Sequence, residues 1–263
     1  MKLLVAFTRA AYQKTAVYRL DFWAGQLSNF VMMAGGYYLW LALYENRPEA
    51  FGVTVSQMTT YGVLGMLLHP IMGTSGDIQR YLAQQVRLGT LETDVMKPVD
   101  FVLLMFSRNM GDFLVELLLH GLPGLLFAYL FLDFPVPTNW QTAVSFPLSL
   151  LMGYITFFWI NLLLGLLAII TLDIRSYMWA FSAIIRFASG QLVPLWLYPP
   201  ALATLFAILP FQSIFFAPIS IYIGAETAVV PALLRQLAWT VALFFVVRWV
   251  WSRLYQRITI QGG

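Results

Sequence analysis

The sequence predicts an all-α integral membrane protein with six transmembrane helices and both termini in the cytoplasm, and three observations carry that prediction. Of 263 residues, 60% are hydrophobic and 10% charged, with mean hydropathy +0.76; a soluble domain averages roughly 45–50% apolar and about 25% charged. The ionisable residues are bunched, so that no Asp, Glu, Lys or Arg occurs in 22–44, 50–76, 117–132, 134–172, 187–225 or 236–247. Ionised groups are costly in hydrocarbon, and such runs mark membrane segments. Finally, twelve of the 15 Lys and Arg fall before the first run or in alternate connections after it: Lys2, Arg9, Lys14, Arg19, Arg80, Arg87, Lys97, Arg108, Arg175, Arg248, Arg253 and Arg257. Basic residues beside span ends stay in the cytoplasm. The opposite side holds Arg47 and Arg235 with Glu45, Glu49, Asp133 and Glu226.

The expected spans are 21–44, 57–76, 110–132, 142–172, 176–198 and 229–251. Six spans of about 20 residues use roughly 120 residues, so residues 1–263 make one polytopic domain. Ahead of the first span, residues 2–19 put Lys2, Arg9, Gln13 and Arg19 on one helical side and Leu3, Leu4, Phe7, Ala11 and Tyr18 on the other. That pattern suits a helix lying in the membrane surface, with Lys14 breaking it by snorkelling. A cytoplasmic extension of span 1 is the alternative. No signal-peptide cleavage pattern precedes span 1, which reads as a retained anchor.

Between spans 2 and 3, residues 77–100 form the largest polar island, with Asp77, Arg80, Arg87, Glu92, Asp94, Lys97 and Asp100. The spacing predicts a helix over 78–88 ended by Gly89, a turn at Lys97-Pro98, and a second short helix over 101–109. Such an island is either a dock for a soluble partner or a solvated connector. Between spans 5 and 6 the chain is apolar, yet Pro194, Pro199, Pro200, Pro210 and Pro218 forbid one continuous helix. Broken backbone at membrane depth must be buried in protein or line a cavity. A re-entrant pair of short helices over 200–208 and 213–223, dipping from the outer face, is expected.

The chemistry is mostly exclusion. None of the three lysines follows a glycine, so a P-loop cannot be built, and ATP hydrolysis has to come from another chain. Cysteine is absent, His69 and His120 are the only histidines, and there is no HExxH, which argues against a metal centre. A net charge of only +3 gives no support to nucleic-acid binding. Gly73-Thr74-Ser75-Gly76 matches the GxSG of rhomboid-type intramembrane serine proteases, with His120 as the available base. The competing reading is small residues, with Gly62, Gly65 and Gly73, permitting close helix packing.

Arg186 stands about ten residues, ~15 Å, into expected span 5. An intramembrane cation needs a partner, for which Glu116 in span 3 and carbonyls freed near Pro194 are the candidates. The result is either a fixed ion pair or a cavity lining. Arg108, Asp112 and Glu116, four apart, read as a local charge ladder. Trp140, Trp179, Trp196, Tyr198, Trp249, Trp251 and Tyr255 form the interfacial belt.

Four stretches together resemble an ABC-2 type export permease of the six-helix, daunorubicin-exporter-like subfamily. They are Val86-Arg87-Leu88-Gly89-Thr90-Leu91 with Met96-Lys97-Pro98, then ASGQLVPLW at 188–196, LPFQSIFFAPISIYIG at 209–224, and the closing Gln261-Gly262-Gly263. The resemblance implies a half-transporter in a bacterial-type cytoplasmic membrane. Two permease chains, identical or related, would pair and bind separate ATPase subunits that hold ATP and Mg, with no cofactor on this chain.

It also assigns parts. Residues 2–19 become the elbow helix, and 78–88 the coupling helix, with Ile78, Arg80, Tyr81, Gln84, Arg87, Leu88 and Gly89 as the ATPase-coupling set. The outer gate is 199–224, and Arg186, Gln191, Pro194, Trp196, Pro210, Phe211 and Pro218 mark the substrate pathway. Substrate would pass between the two chains, along a largely aromatic and aliphatic groove lined by spans 2 and 5, which fits amphipathic cargo. Glu92, Thr93 and Asp94 depart from the more apolar run the family would have there. A secondary transporter is the competing class; it requires related halves and mid-membrane carboxylates, and only Glu116 comes near.

Overall fold

The computed structural model describes residues 2–44, 52–137, 139–171 and 175–261, apart from the side chains of 175–176 and 257–261. Glu45, Arg47, Glu49, Gly262 and Gly263, and the side chains of Arg175 and Arg257, therefore lie outside the described residues. The described chain is helical throughout: α1 Lys2–Val17, α2 Arg19–Tyr44, α3 Val55–Gly73, α4 Asp77–Leu88, α5 Leu91–Val95, α6 Phe101–Glu116, α7 Leu122–Phe131, α8 Trp140–Thr171, α9 Arg175–Ala188, α10 Pro200–Ile208, α11 Phe216–Tyr222 and α12 Val229–Gln261. Three stretches are long and apolar enough by themselves to cross a bilayer: Phe101–Phe131, Trp140–Thr171 and Val229–Gln256. Helices α2, α3 and α9 occupy the places of the other three expected spans.

Local chemistry sets the boundaries. Thr54 and Gln57 form a reciprocal capping box at the start of α3. Gly89, at φ 68°, ends α4 where expected, since an L side chain resists that conformation. The Asp100 carboxylate accepts from the Leu103 amide at 3.0 Å and caps α6. The separate short helix expected over 101–109 does not exist. Nothing breaks the chain between Phe101 and Glu116, and α6 continues through a π turn, Leu117–Gly121, into α7. Pro123 follows that turn and has no N–H to give, which favours the widened geometry.

The fifth segment is also shorter than the 176–198 expected. Helix α9 stops at Ala188, because Gly190 turns the chain at φ 73° and Pro194 follows. Fourteen residues reach ~21 Å, less than the ~30 Å of a hydrocarbon core. Helix α10 has the bounds expected of the first short helix, 200–208, and α11, Phe216–Tyr222, lies inside the expected 213–223.

Helix α8 is the axis of the fold, with α4, α11 and α12 packed on it. One core gathers α2, α3 and α8 around Met58, Tyr61, Leu64 and Tyr154; a second, around Leu82, Phe158, Leu162 and Trp251, joins α4 and α12 to the far end of α8. The polar segments collect at opposite ends. At one end, Arg248 pairs with Asp100 at 2.6 Å and Trp251 stacks on Phe101 at 3.9 Å, beside α4 and α5. At the other, Tyr222 donates to the Pro135 carbonyl at 2.8 Å and Gln57 to that of Ile223 at 2.9 Å. Charge patterning assigns the first end to the cytoplasm.

Candidate functional site

A cavity of about 810 Å³ opens among α1, α2, α3, α4, α6, α8 and α9 toward the basic end. This cavity lies within one chain, and its lining mixes aromatic with ionisable side chains. Phe22, Phe157, Phe181 and Phe215 line it, but so do Lys14, Asp21, His69, Asp77, Arg80, Asp112, Glu116, His120 and Arg186. These ionisable groups come from six different helices and lie far apart in sequence, so no local motif announces them.

Some of the charges are committed to one another. Asp77 pairs with Arg80, and the Glu116 carboxylate lies against Nδ1 of His120 one turn further on, inside the π turn, an ion pair whenever that ring is protonated. The expected pairing of Glu116 with Arg186 is therefore not made. Arg186 occupies the last turn of α9, where helix carbonyls favour a cation. Among the described residues no carboxylate lies within ion-pair distance of it. It shares the deep end of the cavity with His69 and interacts with that ring electrostatically. His69 Nδ1 accepts from Gln191 Nε2 at 2.8 Å, which places the proton of the neutral ring on Nε2. The charge ladder on α6 is not formed either. Arg108 turns its guanidinium onto the Tyr81 ring, 3.7 Å from the centroid, and leaves Asp112 facing the cavity.

The broken segment after α9 closes the deep end. Tyr61 donates to the Gly190 carbonyl, the Phe216 amide to that of Ser189 at 3.0 Å, and Gln236 to that of Ser213 at 3.0 Å. Trp196 packs edge-on to Tyr61 and against Phe216, while Phe211 meets Phe181. Pro194, Pro210 and Pro218 are buried in this plug. Of the expected pathway residues, Arg186 and Gln191 reach the cavity, and the other five build the plug above it.

Ser75 has no catalytic geometry. Its hydroxyl is fully buried, donates to the Met72 carbonyl at 2.8 Å and accepts from Asn161 Nδ2 at 3.0 Å, while His120 is held by Glu116. The serine–histidine dyad is not assembled, and the GxSG stretch is the packed turn from α3 into α4. Of the three glycines read as packing sites, Gly62 meets α2 and Gly65 meets Gln191, whereas a Cβ on Gly73 would meet nothing within 4 Å and would open on the cavity.

Helix α4 is sharply two-sided. Ile78, Gln79 and Leu82 are buried against α8, and a Cβ on Gly165 of that helix would come within 2.8 Å of Leu82 and 3.1 Å of Gln79. Arg80, Gln84, Arg87 and Leu88 share the exposed face, at the i, i+4, i+7, i+8 spacing of one helical side. Ile78 and Tyr81, expected in the coupling set, point inward instead. Tyr81 donates to the Asp94 carboxylate, which Lys97 also approaches at 2.6 Å. Burial pushes the phenol up to about 12, the Asp94 bond adds to that, and the Arg108 charge opposes it.

A family model described as ABC-2 family transporter protein matches residues 30–262. The chain belongs to the ABC-2 transporter family. No curated protein matches it. Membership makes this ABC-2 protein an integral membrane component of an ABC transporter, the permease rather than the ATPase, which works with an ABC ATPase.

Sequence reading missed two features of this ABC-2 protein's site. Asp94, 3% exposed, bolts α5 to α4 through Tyr81. The Glu92-Thr93-Asp94 departure thus has a structural use, and its signal was Lys97 three residues on. The other is the Glu116–His120 pair, whose i, i+4 spacing was readable but which lost to the longer-range partner Arg186.

Proposed function

We propose that this chain is the membrane-spanning half of an ATP-driven exporter in a bacterial-type cytoplasmic membrane. It works as a pair of permease chains, either identical or related, and moves amphipathic cargo out through the space between them. ATP and Mg belong to the partner ATPase. One observation supports this above the others. Helix α4 contributes Asp77, Gln79 and Arg80 to the cavity wall at one end and presents Arg87 and Leu88 to solvent at the other. A rigid helix of 12 residues, ~18 Å long, can pass a push on its outer end directly to the cavity. The charged lining adjusts the cargo expected from sequence toward amphiphiles with a charged end.

The test is co-purification with a co-expressed ABC ATPase subunit. Arg87→Glu should weaken recovery several-fold while the permease still inserts. Arg80→Glu should act less specifically, because it also breaks the Asp77 pair in the cavity. Unchanged ATPase recovery with Arg87→Glu removes α4 as the dock, and proton-driven transport by this chain alone removes the exporter reading.

A further inference from the structure

The surface helix α1 has unlike grooves on the two sides of the ridge formed by Val5 and Arg9. On one side Lys2, Arg9 and Gln13 border a shallow depression of about 510 Å³. On the other, Leu4, Tyr12, Leu114 and Leu118 line a trough of about 530 Å³ between α1 and the α6 to π-turn stretch. The basic side is uncompensated: α1 contains no Asp or Glu, and among the described residues neither Lys2 nor Arg9 has a carboxylate within ion-pair distance. The apolar side is open, with Tyr12 57% and Leu118 56% exposed.

The two grooves have a common direction. Helix α6 starts at the basic end with Asp100 and Phe101, passes α1 at Gly111 against Phe7 and Thr8, and continues away from that end, so Leu114 to Leu119 extend the trough over roughly 8 Å of helix beyond the crossing. A basic rim above an apolar slot that leads into the bilayer complements a phospholipid, with its phosphate at the rim and its acyl chain in the slot. A zwitterionic headgroup would bring no net charge to neutralise the two cations. We infer that the α1 ridge is a binding site for one anionic glycerophospholipid of the cytoplasmic leaflet, its phosphate held by Lys2 and Arg9 and one acyl chain lying against Leu4, Tyr12, Leu114 and Leu118.

The site is tested on the full chain in detergent, titrated with phosphatidylglycerol or phosphatidylcholine, with bound lipid counted by native mass spectrometry. The wild-type chain should retain phosphatidylglycerol preferentially. Each basic residue near a membrane surface contributes about fivefold, so the Lys2→Gln, Arg9→Gln double variant should lose roughly 25-fold in phosphatidylglycerol binding and none in phosphatidylcholine. Leu118→Trp should fill the slot and weaken both lipids, whereas Arg253→Gln, an exposed cation on α12, should change neither. Glycerol 3-phosphate, a phosphate without acyl chains, should not compete. Equal retention of the two lipids by wild type, an undiminished preference in the double variant, unaltered binding in Leu118→Trp, or competition by glycerol 3-phosphate would each overturn the assignment. So would absence of bound lipid because a second copy of the chain covers the trough.

Discussion

Tyr154 brings its hydroxyl within reach of three oxygens, Oδ1 of Asn109 at 2.6 Å, the Asn109 carbonyl at 2.9 Å and Oγ1 of Thr74 at 3.1 Å, while Asn109 Nδ2 donates to the Thr74 carbonyl at 2.8 Å. These groups are buried, and they lock α6 and α8 to the turn between α3 and α4. Removing one partner strands the others without water, which costs about 1–3 kcal/mol. Tyr154→Phe and Asn109→Ala should each lower the thermal midpoint by about 2–12 °C. The double variant should lose less than the sum, since both changes break one network. Strict additivity in detergent melts would show two independent sites. At the cytoplasmic rim, Asp100 offers a pH test. Partial burial pushes its carboxyl up, but bonds from Arg248 and the Leu103 amide outweigh that and hold it below the usual range. With the folded value below the unfolded one, near 3.9, its stabilisation is complete above about pH 4 and fades as pH falls through the folded value. Asp100→Asn keeps a good helix cap and should lose only this acid step; Asp100→Ala should also lose about 0.5–2 kcal/mol of capping at neutral pH. An unaltered acid limb below about pH 4 in Asp100→Asn would dismiss the Arg248 bond as a contributor.

Helix α4 depends on a missing side chain in its neighbour. A valine at Gly165 would drive its methyls into Leu82 and the backbone of Gln79, which cannot yield without lifting α4 from α8. Gly165→Val should raise amide exchange across 78–88 and reduce ATPase recovery, with α8 itself still inserted and protected, and Gly165→Ala should fall between it and wild type. Unchanged exchange in α4 would mean that this contact does not hold the helix. How much of such an element can be read in advance depends on which physics sets it. The body of α4, its stop at Gly89, and the proline-broken α10 and α11 were legible because periodicity, a left-handed glycine and missing N–H groups are local. The end of α9 was not: residues 189–198 are as apolar in a turn as in a helix, and the turn is held by Tyr61 and Phe216 from remote parts of the chain. The continuity of α6 through 101–109 was hidden by the same charges that marked the cytoplasmic rim, since Arg108 finds its partner in Tyr81 rather than in water. The cavity was legible in one residue, Arg186, and concealed in Asp77 and Asp112, which read as part of the polar island and of a local charge ladder, and in Asp21, which no pattern singled out.

Across the whole molecule, the buried plug between α9 and α12 and the exposed end of α4 lie on opposite sides of the charged cavity, so binding and coupling can be separated by mutation. Arg186 is the sharpest probe because it faces the cavity, has no carboxylate within ion-pair distance among the described residues, and stands on α9 rather than on α4. A cargo anion bound there would gain one charge-assisted hydrogen bond, about 1.5–3 kcal/mol, or roughly 10- to 150-fold in affinity. Arg186→Ala should therefore cut transport of acidic amphiphiles into vesicles by at least about tenfold at subsaturating cargo, and Arg186→Lys should restore part of it as a point charge without the planar fork. Recovery of the ATPase subunit should stay at the wild-type level in both variants. Loss of ATPase recovery together with transport would make Arg186 a fold or assembly residue. Wild-type transport of every acidic cargo tried, with normal assembly, would mean that Arg186 does not hold the cargo anion.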